Sequence, residues 1–413
     1  MIKINFIILC HFIYLLIEVG CQTTSFKPVQ RRSHTATLID DKLYILGGRN
    51  EAYDIKIGTE FFYIDFSVPF NTQNILWHDL TSVNTVPAHF AAASVNGGAN
   101  NKTLFLYGGI PYNEGMSLVY AFDTRSSSWA PEISSVSIIR KDSLQGIVDF
   151  NGKMYLFGGQ SKSIPVNDMF ILDTINLNWE IGSSINAPSP RAGYGASLLS
   201  NDLIIYLGGS DNIVFTSFSE VYLYDTRKDS WSTKITSGTI PSDRDSFSAV
   251  LGLDVQHIII FGGKGLSTQD IYVLNLINFE WNIPKVSGKI PSSRYWHRAN
   301  VIGKFMVISF GRNYDPKIDN DILLLDISNN EEYIWTNIFD PSSNSSKVSI
   351  NDTSTKVPPT SSKNTLPISA IIGIAIGSLV GGILLSFGGS YLYKWNKNRK
   401  ESKSAIPTPG TSG

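Results

Sequence analysis

Two short stretches carry the same potential chemistry. Gly48-Arg49-Asn50 and Gly311-Arg312-Asn313 each place a forked guanidinium beside a side-chain amide directly after a glycine. Tyr314 follows the second, and Tyr295, Trp296 and His297 lie a short way upstream of it. Forked donors next to flat aromatic faces suit a sugar ring or an extended peptide, because the donors fix polar groups while the rings supply contact area. The set contains no nucleophile and no acid–base pair, so the chemistry it offers is binding.

A second set is periodic. P-x-x-R recurs at Pro28/Arg31, Pro188/Arg191, Pro241/Arg244 and Pro291/Arg294; Arg140 aligns with these in a further copy, and Phe90 stands there in another. With the same period, five residues before a recurring Asp or Asn, lie Glu60, Asp168, Glu220, Asp270 and Asp321, with Leu118 in the copy that has Phe90. The copy without the arginine is the copy without the acid. This predicts charge-assisted pairs within repeats, Arg31–Glu60, Arg140–Asp168, Arg191–Glu220, Arg244–Asp270 and Arg294–Asp321, with a scaffold role.

Other chemistries find no support. There is no G-x-S-x-G, no H-E-x-x-H and no P-loop, and "LGGSDN" and "FGGKG" are not phosphate cradles. His78, His89, His257 and His297 are scattered without metal-ligand spacing. A formal charge of −1 and a pI near 6.6 argue against a general nucleic-acid binder. No catalytic residue, metal or cofactor is expected.

The elements that must position these side chains are short strands. "LYILGG", "LFLYGG", "MYLFGG", "IIYLGG" and "IIIFGG" end at Gly48, Gly109, Gly159, Gly209 and Gly263; a sixth copy, "MVISFGR", keeps Gly311 and reads as having Arg312 in place of the second glycine. The spacing is about fifty residues, with roughly ten more in the first interval, where blade one carries the loop "FSVPFNTQNI". Downstream of each lie Asp65, Asp123, Asp173, Asp225, Asn275 and Asp326, then Trp77, Trp129, Trp179, Trp231, Trp281 and Trp335. The acid or Asn suits a tight turn, and the Trp buries a large apolar area on the next strand. A four-stranded sheet of this size cannot cover both its faces, but six around an axis cover one another and leave few free edges.

This pattern resembles the kelch repeat, over roughly residues 27–340. The resemblance implies a six-bladed β-propeller, with blades at about 27–86, 87–136, 137–187, 188–240, 241–290 and 291–340. In ligand-binding kelch propellers the residues after the glycines and around the repeat-initial arginine line one face. Carried over, one loop set holds Arg49, Asn50, Gln160, Ser210 to Asn212, Lys264 and Arg312 to Tyr314, and a second holds His34, His89, Lys141 and Tyr295 to His297. Blades one and six adjoin in a closed ring, so the candidate ligand residues are Arg49, Asn50, Tyr295, Trp296, Arg312, Asn313 and Tyr314. Galactose oxidase has a kelch-type propeller, but its copper site needs a Tyr–Cys cross-link. The chain's cysteines, Cys10 and Cys21, fall outside the repeats, which sets that reading aside. How the ring closes is not legible.

The ends add a topology. Residues 1–21 read as a signal peptide, with Lys3 before an apolar run from Phe6 to Ile17. Residues 341–367 form a Ser/Thr/Pro-rich stalk. Residues 368–393 are uncharged and long enough to span a bilayer, and Lys394, Lys397, Arg399, Lys400 and Lys403 place the 394–413 tail in the cytoplasm. The expected product is an all-β propeller held outside the cell, or in a lumen, by one C-terminal transmembrane helix. It would bind a protein or glycan ligand; a membrane-tethered scaffold for assembly is the alternative. Asn101, Asn344 and Asn351 stand in glycosylation sequons, and Gly373, Gly377 and Gly381 could support a weak homodimer.

Overall fold

The computed structural model describes residues 26–130, 138–265, 270–313 and 322–344. The expected signal peptide and transmembrane span, most of the stalk, and Asn351 lie outside them. Among the described residues no helix is long and apolar enough to cross a membrane.

Within 26–344 the described residues form six blades, each with four antiparallel strands; blades five and six each gain a fifth, parallel strand, Ser237–Gly238 and Lys285–Gly288, from the end of the preceding repeat. Blade one consists of Thr35–Ile39, Lys42–Leu46, Phe61–Asp65 and Trp77–Asp79. The others run from Ala93–Gly97 to Ser128–Ala130, Ile147–Val148 to Trp179–Gly182, Gly195–Leu198 to Ser230–Ile235, Ser248–Leu251 to Glu280–Asn282, and Arg298–Ile302 to Glu332–Thr336. The second strand of each blade is almost wholly buried on both faces, as in "KLYIL", "KMYLF" and "HIIIF". That explains why these strands read as continuous apolar runs and not as alternating ones. Each blade's first strand lies against the first strand of the next, and blade six's against blade one's. The sheets therefore surround an axis.

The recurring acid makes the turn before the fourth strand. Its side chain accepts the amide N–H two residues on at Asp65, Asp123, Asp173, Asp225, Asn275 and Asp326, at 2.8–3.0 Å. Asn275 serves as well as Asp because only the acceptor oxygen is used. Each tryptophan then crosses to the preceding blade: Trp129 packs on Phe61, Trp179 on Tyr107, Trp231 on Phe157, Trp281 on Phe218, Trp335 on Phe261, and Trp77 on Phe310.

The paired glycines join blades. The second donates its N–H to the carbonyl of the residue that opens the next repeat: Gly48 to His89, Gly109 to Lys141, Gly159 to Arg191, Gly209 to Arg244 and Gly263 to Arg294. Gly311 donates to Arg31 at 3.1 Å and completes the circle. The first glycine has positive φ and lets that carbonyl pass; a Cβ on Gly108 would lie 2.1 Å from Lys141 O. This corrects the reading of blade six. Gly311, at φ 103, occupies the second position, so the departure is Phe310 in the first, at φ 49. Arg312 is then the residue after the pair, equivalent to Arg49.

Among the described residues, the first and last blades exchange no strand of their four-stranded cores. The long blade-one loop closes the ring: Phe70–Asn71 pairs antiparallel with Ile338–Phe339, just beyond the sixth blade. Phe66, Phe70 and Phe339 stack within 4.8–5.2 Å of one another. They belong to an apolar cluster shared by the two blades, including Leu43, Ile64, Phe305 and Leu324.

Candidate ligand-binding site

Two residues after the repeat-initial position, every blade turns through positive φ: Ser33, Ala91, Ser143, Gly193, Ser246 and Trp296, at φ 54–62. Their backbones form a closed ring of hydrogen bonds about the axis. Trp296 N–H donates to Ser246 O, Ser246 to Gly193, Gly193 to Ser143, Ser143 to Ala91, Ala91 to Ser33, and Ser33 to Trp296, all at 2.7–3.0 Å. Five of the six side chains are small or absent. The sixth is an indole, held in a left-handed conformation that costs a bulky residue roughly 1–2 kcal/mol.

These six residues form the throat of a cavity of about 370 Å³. Its wall includes Arg49, Gln160, Ser210, Asn212 and Lys264, which follow the glycines, together with Phe90 and the blade-four tip Ile213, Val214 and Phe215. Ile213 is 91% exposed. A larger crevice on the blade six–blade one seam is lined by Trp77, Arg294 and Trp335 among others and is walled by scaffold side chains.

Arginine and aromatic rings concentrate on one side of the mouth. The Arg49 guanidinium lies 4.6 Å from the centre of Tyr53, 4.7 Å from Phe90 and 5.6 Å from Trp296, while Arg32 covers Trp296 at 5.0 Å. Such stacking holds a guanidinium flat and presents its edge. Glu51 bridges the group, pairing with Arg32 and, at 2.8 Å, with Arg312. The hydrogen bond from Arg32 is the main reason its carboxyl titrates below the usual range. Burial, then the charge of Arg32, lowers the Arg49 pKa. One carboxylate thus pairs with two arginines while Arg49, beside it, pairs with no acid among the described residues, so Arg32, Arg49 and Arg312 outnumber it.

The KLHDC2/KLHL20/DRC7 Kelch-repeats domain model matches residues 33–263 and again 216–355. The chain belongs to the kelch-repeat family. It is 26% identical over 326 residues to Acyl-CoA-binding domain-containing protein 4 of Arabidopsis thaliana, a match covering 74% of this chain but only 46% of that protein. It is 26% identical over 313 residues to human Kelch domain-containing protein 3, covering 70% of this chain and 79% of that one. Among solved structures, YjhT aligns at TM-score 0.59 and 17% identity over 75% of this chain and 99% of its own; this is a likeness of fold.

On the kelch frame, Arg49 and Trp296 share the pocket wall. Tyr295 stacks beside Trp296 at 4.7 Å, and Tyr295 and Arg312 pair through their backbones. Asn50 turns back into its own loop, where its side chain accepts the Asp54 N–H. Asn313 is placed by backbone pairing with Arg294, and Tyr314 lies outside the described residues. Asn101 is exposed on a hairpin turn. The second loop set needs correction. His34, His89 and Lys141 are fully buried, and His297 is nearly so: His34 and His297 bond Ser309 and Ser248 of the preceding blade, His89 lies against Gly47 of blade one, and Lys141 reaches Leu156 O and Asp168 of its own blade. Arg32, Glu51, Tyr53 and Phe90 complete the mouth and carry no periodic signal that would have singled them out.

The predicted pairs take several forms. Arg31, fully buried, pairs with Glu60 and donates to Gly47 O at 3.0 Å. Arg191 donates to Gly208 O and lies over Tyr222, whose hydroxyl donates to Glu220, so this pair meets through a phenol. Arg244 donates to Gly262 O at 3.1 Å and lowers the pKa of Asp270 against the larger, raising effect of burial. Arg294 donates to Phe310 O at 3.0 Å; Asp321 lies outside the described residues. Arg140–Asp168 is corrected. Lys141 holds the repeat-initial place in blade three and pairs with Asp168 at 3.1 Å, which partly offsets the burial that lowers its pKa to about 8. Arg140 instead serves blade two, donating to Gly108 O at 3.0 Å and to the Met116 and Ser117 carbonyls. Blade two lacks its own arginine because His89 occupies that position, and the neighbour supplies one.

Proposed function

We propose that this kelch propeller is a non-enzymatic binding module, and that a protein or glycan ligand docks at the mouth of the axial cavity on the blade one–two–six sector. The observation that carries this is Trp296. Its five counterparts are small, and a bulky side chain in a left-handed conformation persists only where something outweighs the strain. Here it stands between Arg32 and Arg49 at the entrance to a pocket, the arrangement expected of an aromatic anchor flanked by forked donors. Residues 1–21 and 368–393 support a single-pass placement with the propeller outside the cell or in a lumen, glycosylated at Asn101, Asn344 and Asn351.

The test is a screen of the full-length protein, displayed on cells, against a glycan array and a library of secreted proteins. A ligand that binds the wild type and loses at least tenfold in affinity with both Trp296→Ala and Arg49→Ala supports the reading. Undiminished binding by both variants sinks it, as would bound copper with oxidase turnover. Surface labelling of the propeller, but not the C-terminal tail, on intact cells checks the topology.

A further inference from the structure

Three buried cations of the propeller pair directly with a carboxylate, Arg31 with Glu60, Arg32 with Glu51 and Lys141 with Asp168, and buried Arg191 reaches Glu220 through the Tyr222 hydroxyl. Arg298 differs from these. It opens the first strand of blade six and reaches across the axis. Its Nε donates to the His34 carbonyl of blade one at 3.1 Å, and its Nη2 to the Ala92 carbonyl of blade two at 3.2 Å. Among the described residues no acid lies within ion-pair distance of it, and its Nη1 has no protein acceptor. Burial lowers its pKa with no carboxylate to offset the shift.

Arg298 also walls two cavities, the 370 Å³ pocket above and a smaller one of about 110 Å³ farther along the axis. The pocket lining carries Arg49, Lys264 and Arg298 against a single acid, Asp245, which accepts from Ser210 at 2.8 Å. The smaller cavity has no acidic residue in its lining; its polar members include Thr35, Ser94, Gln145 and Ser248. His34 and His297, beside Arg298, add no charge near neutral pH, since burial depresses both, His297 to about 3. Arg298 is half-buried, and a cation partly withdrawn from water between two cavities is stabilised when an anion joins it, its free edge being suited to grip an oxyanion.

We propose that Arg298 forms an axial anion site, which holds a compact anion at its free edge. The anion is either a free ion or the carboxylate of a larger ligand entering through the pocket; the second source rests on the pocket reading above, and the first does not.

The experiment follows thermal unfolding of the full-length protein in detergent against acetate, chloride and phosphate, in parallel with Arg298→Met and Arg298→Lys. Wild type should give a saturable rise in Tm of about 2–4 °C with at least one of these probes. Arg298→Met should show none. Arg298→Lys, which keeps the charge but not the fork, should respond with roughly tenfold weaker half-saturation and remains informative if the Met variant does not fold. Identical responses in wild type and the variants, or no saturable response in wild type, would overturn the site. No macromolecular ligand is present, so a flat result leaves the pocket reading standing. With a ligand in hand, competition by the responding ion assigns the site to that ligand's carboxylate, and a response without competition assigns it to a free ion.

Discussion

Arg31 and Arg49 flank the same pair of glycines, yet the fold gives them opposite tasks. Arg31 is inaccessible to solvent, donates to the carbonyl of Gly47 and pairs with Glu60. Arg49 follows Gly48 and spreads over three aromatic rings at the rim of a cavity. One is locked to carbonyls its own blade must satisfy; the other is held by ring faces at the rim, with its Nη1 donating to the Tyr53 hydroxyl. The residue type does not separate structural from recognition arginines here. What separates them is whether the donors end on buried backbone and a half-buried carboxylate or on side chains at the rim of a cavity.

Removing each in turn should widen the contrast. Arg31→Ala leaves Glu60 and the Gly47 carbonyl without their partner in the interior and is expected to destabilise by about 3–5 kcal/mol, as measured by denaturant unfolding. Arg49→Ala should stay within about 0.5 kcal/mol of wild type while abolishing recognition. Equal losses from the two would break the distinction. Phe339→Ala, which empties the clasp between the first and last blades, should cost about 3–5 kcal/mol; a smaller effect would mean that the stacked tryptophans close the ring without it.

The buried histidines give a pH signature. Burial lowers His89 to about 4 and His297 to about 3, with His34 also well below its ordinary value. Unfolded, each takes up a proton near pH 6.5; folded, it does not until these lower values. Stability is therefore lost as pH falls below about 6.5, by at most about 1.4 kcal/mol per histidine per pH unit. Calorimetry between pH 7 and 5 should show the decline, and His297→Asn should reduce its slope. Smallest of all, Trp296→Gly should raise stability by up to about 1 kcal/mol, since glycine accepts the left-handed backbone freely, while removing the anchor. A loss of stability instead would make the indole part of the scaffold.

The propeller was legible because its signals recur in phase: a missing or altered member in one copy is supplied by the other five. Single-copy features were not. Arg140 and Lys141 are adjacent basic residues, and only the backbone reveals that one reaches backward while the other faces its own blade. By sequence Gly311-Arg312 aligns with a Gly-Gly pair, whereas the role of the pair lies in the second N–H, which Gly311 supplies. His34 and His89 sit beside surface loops in sequence, but a one-residue step on a strand reverses which way a side chain faces. Arg298 has no counterpart in other blades, so nothing periodic marks it.

The hydrogen-bonded circle at the throat has a consequence for motion. Every peptide in it both gives and receives, and the last bond returns to the first. Lifting any one blade severs two links at once, so partial opening gains little freedom for what it breaks. The amide protons of Ser33, Ala91, Ser143, Gly193, Ser246 and Trp296 should then exchange with deuterium at one common, slow rate, as a unit whose opening coincides with loss of the whole ring.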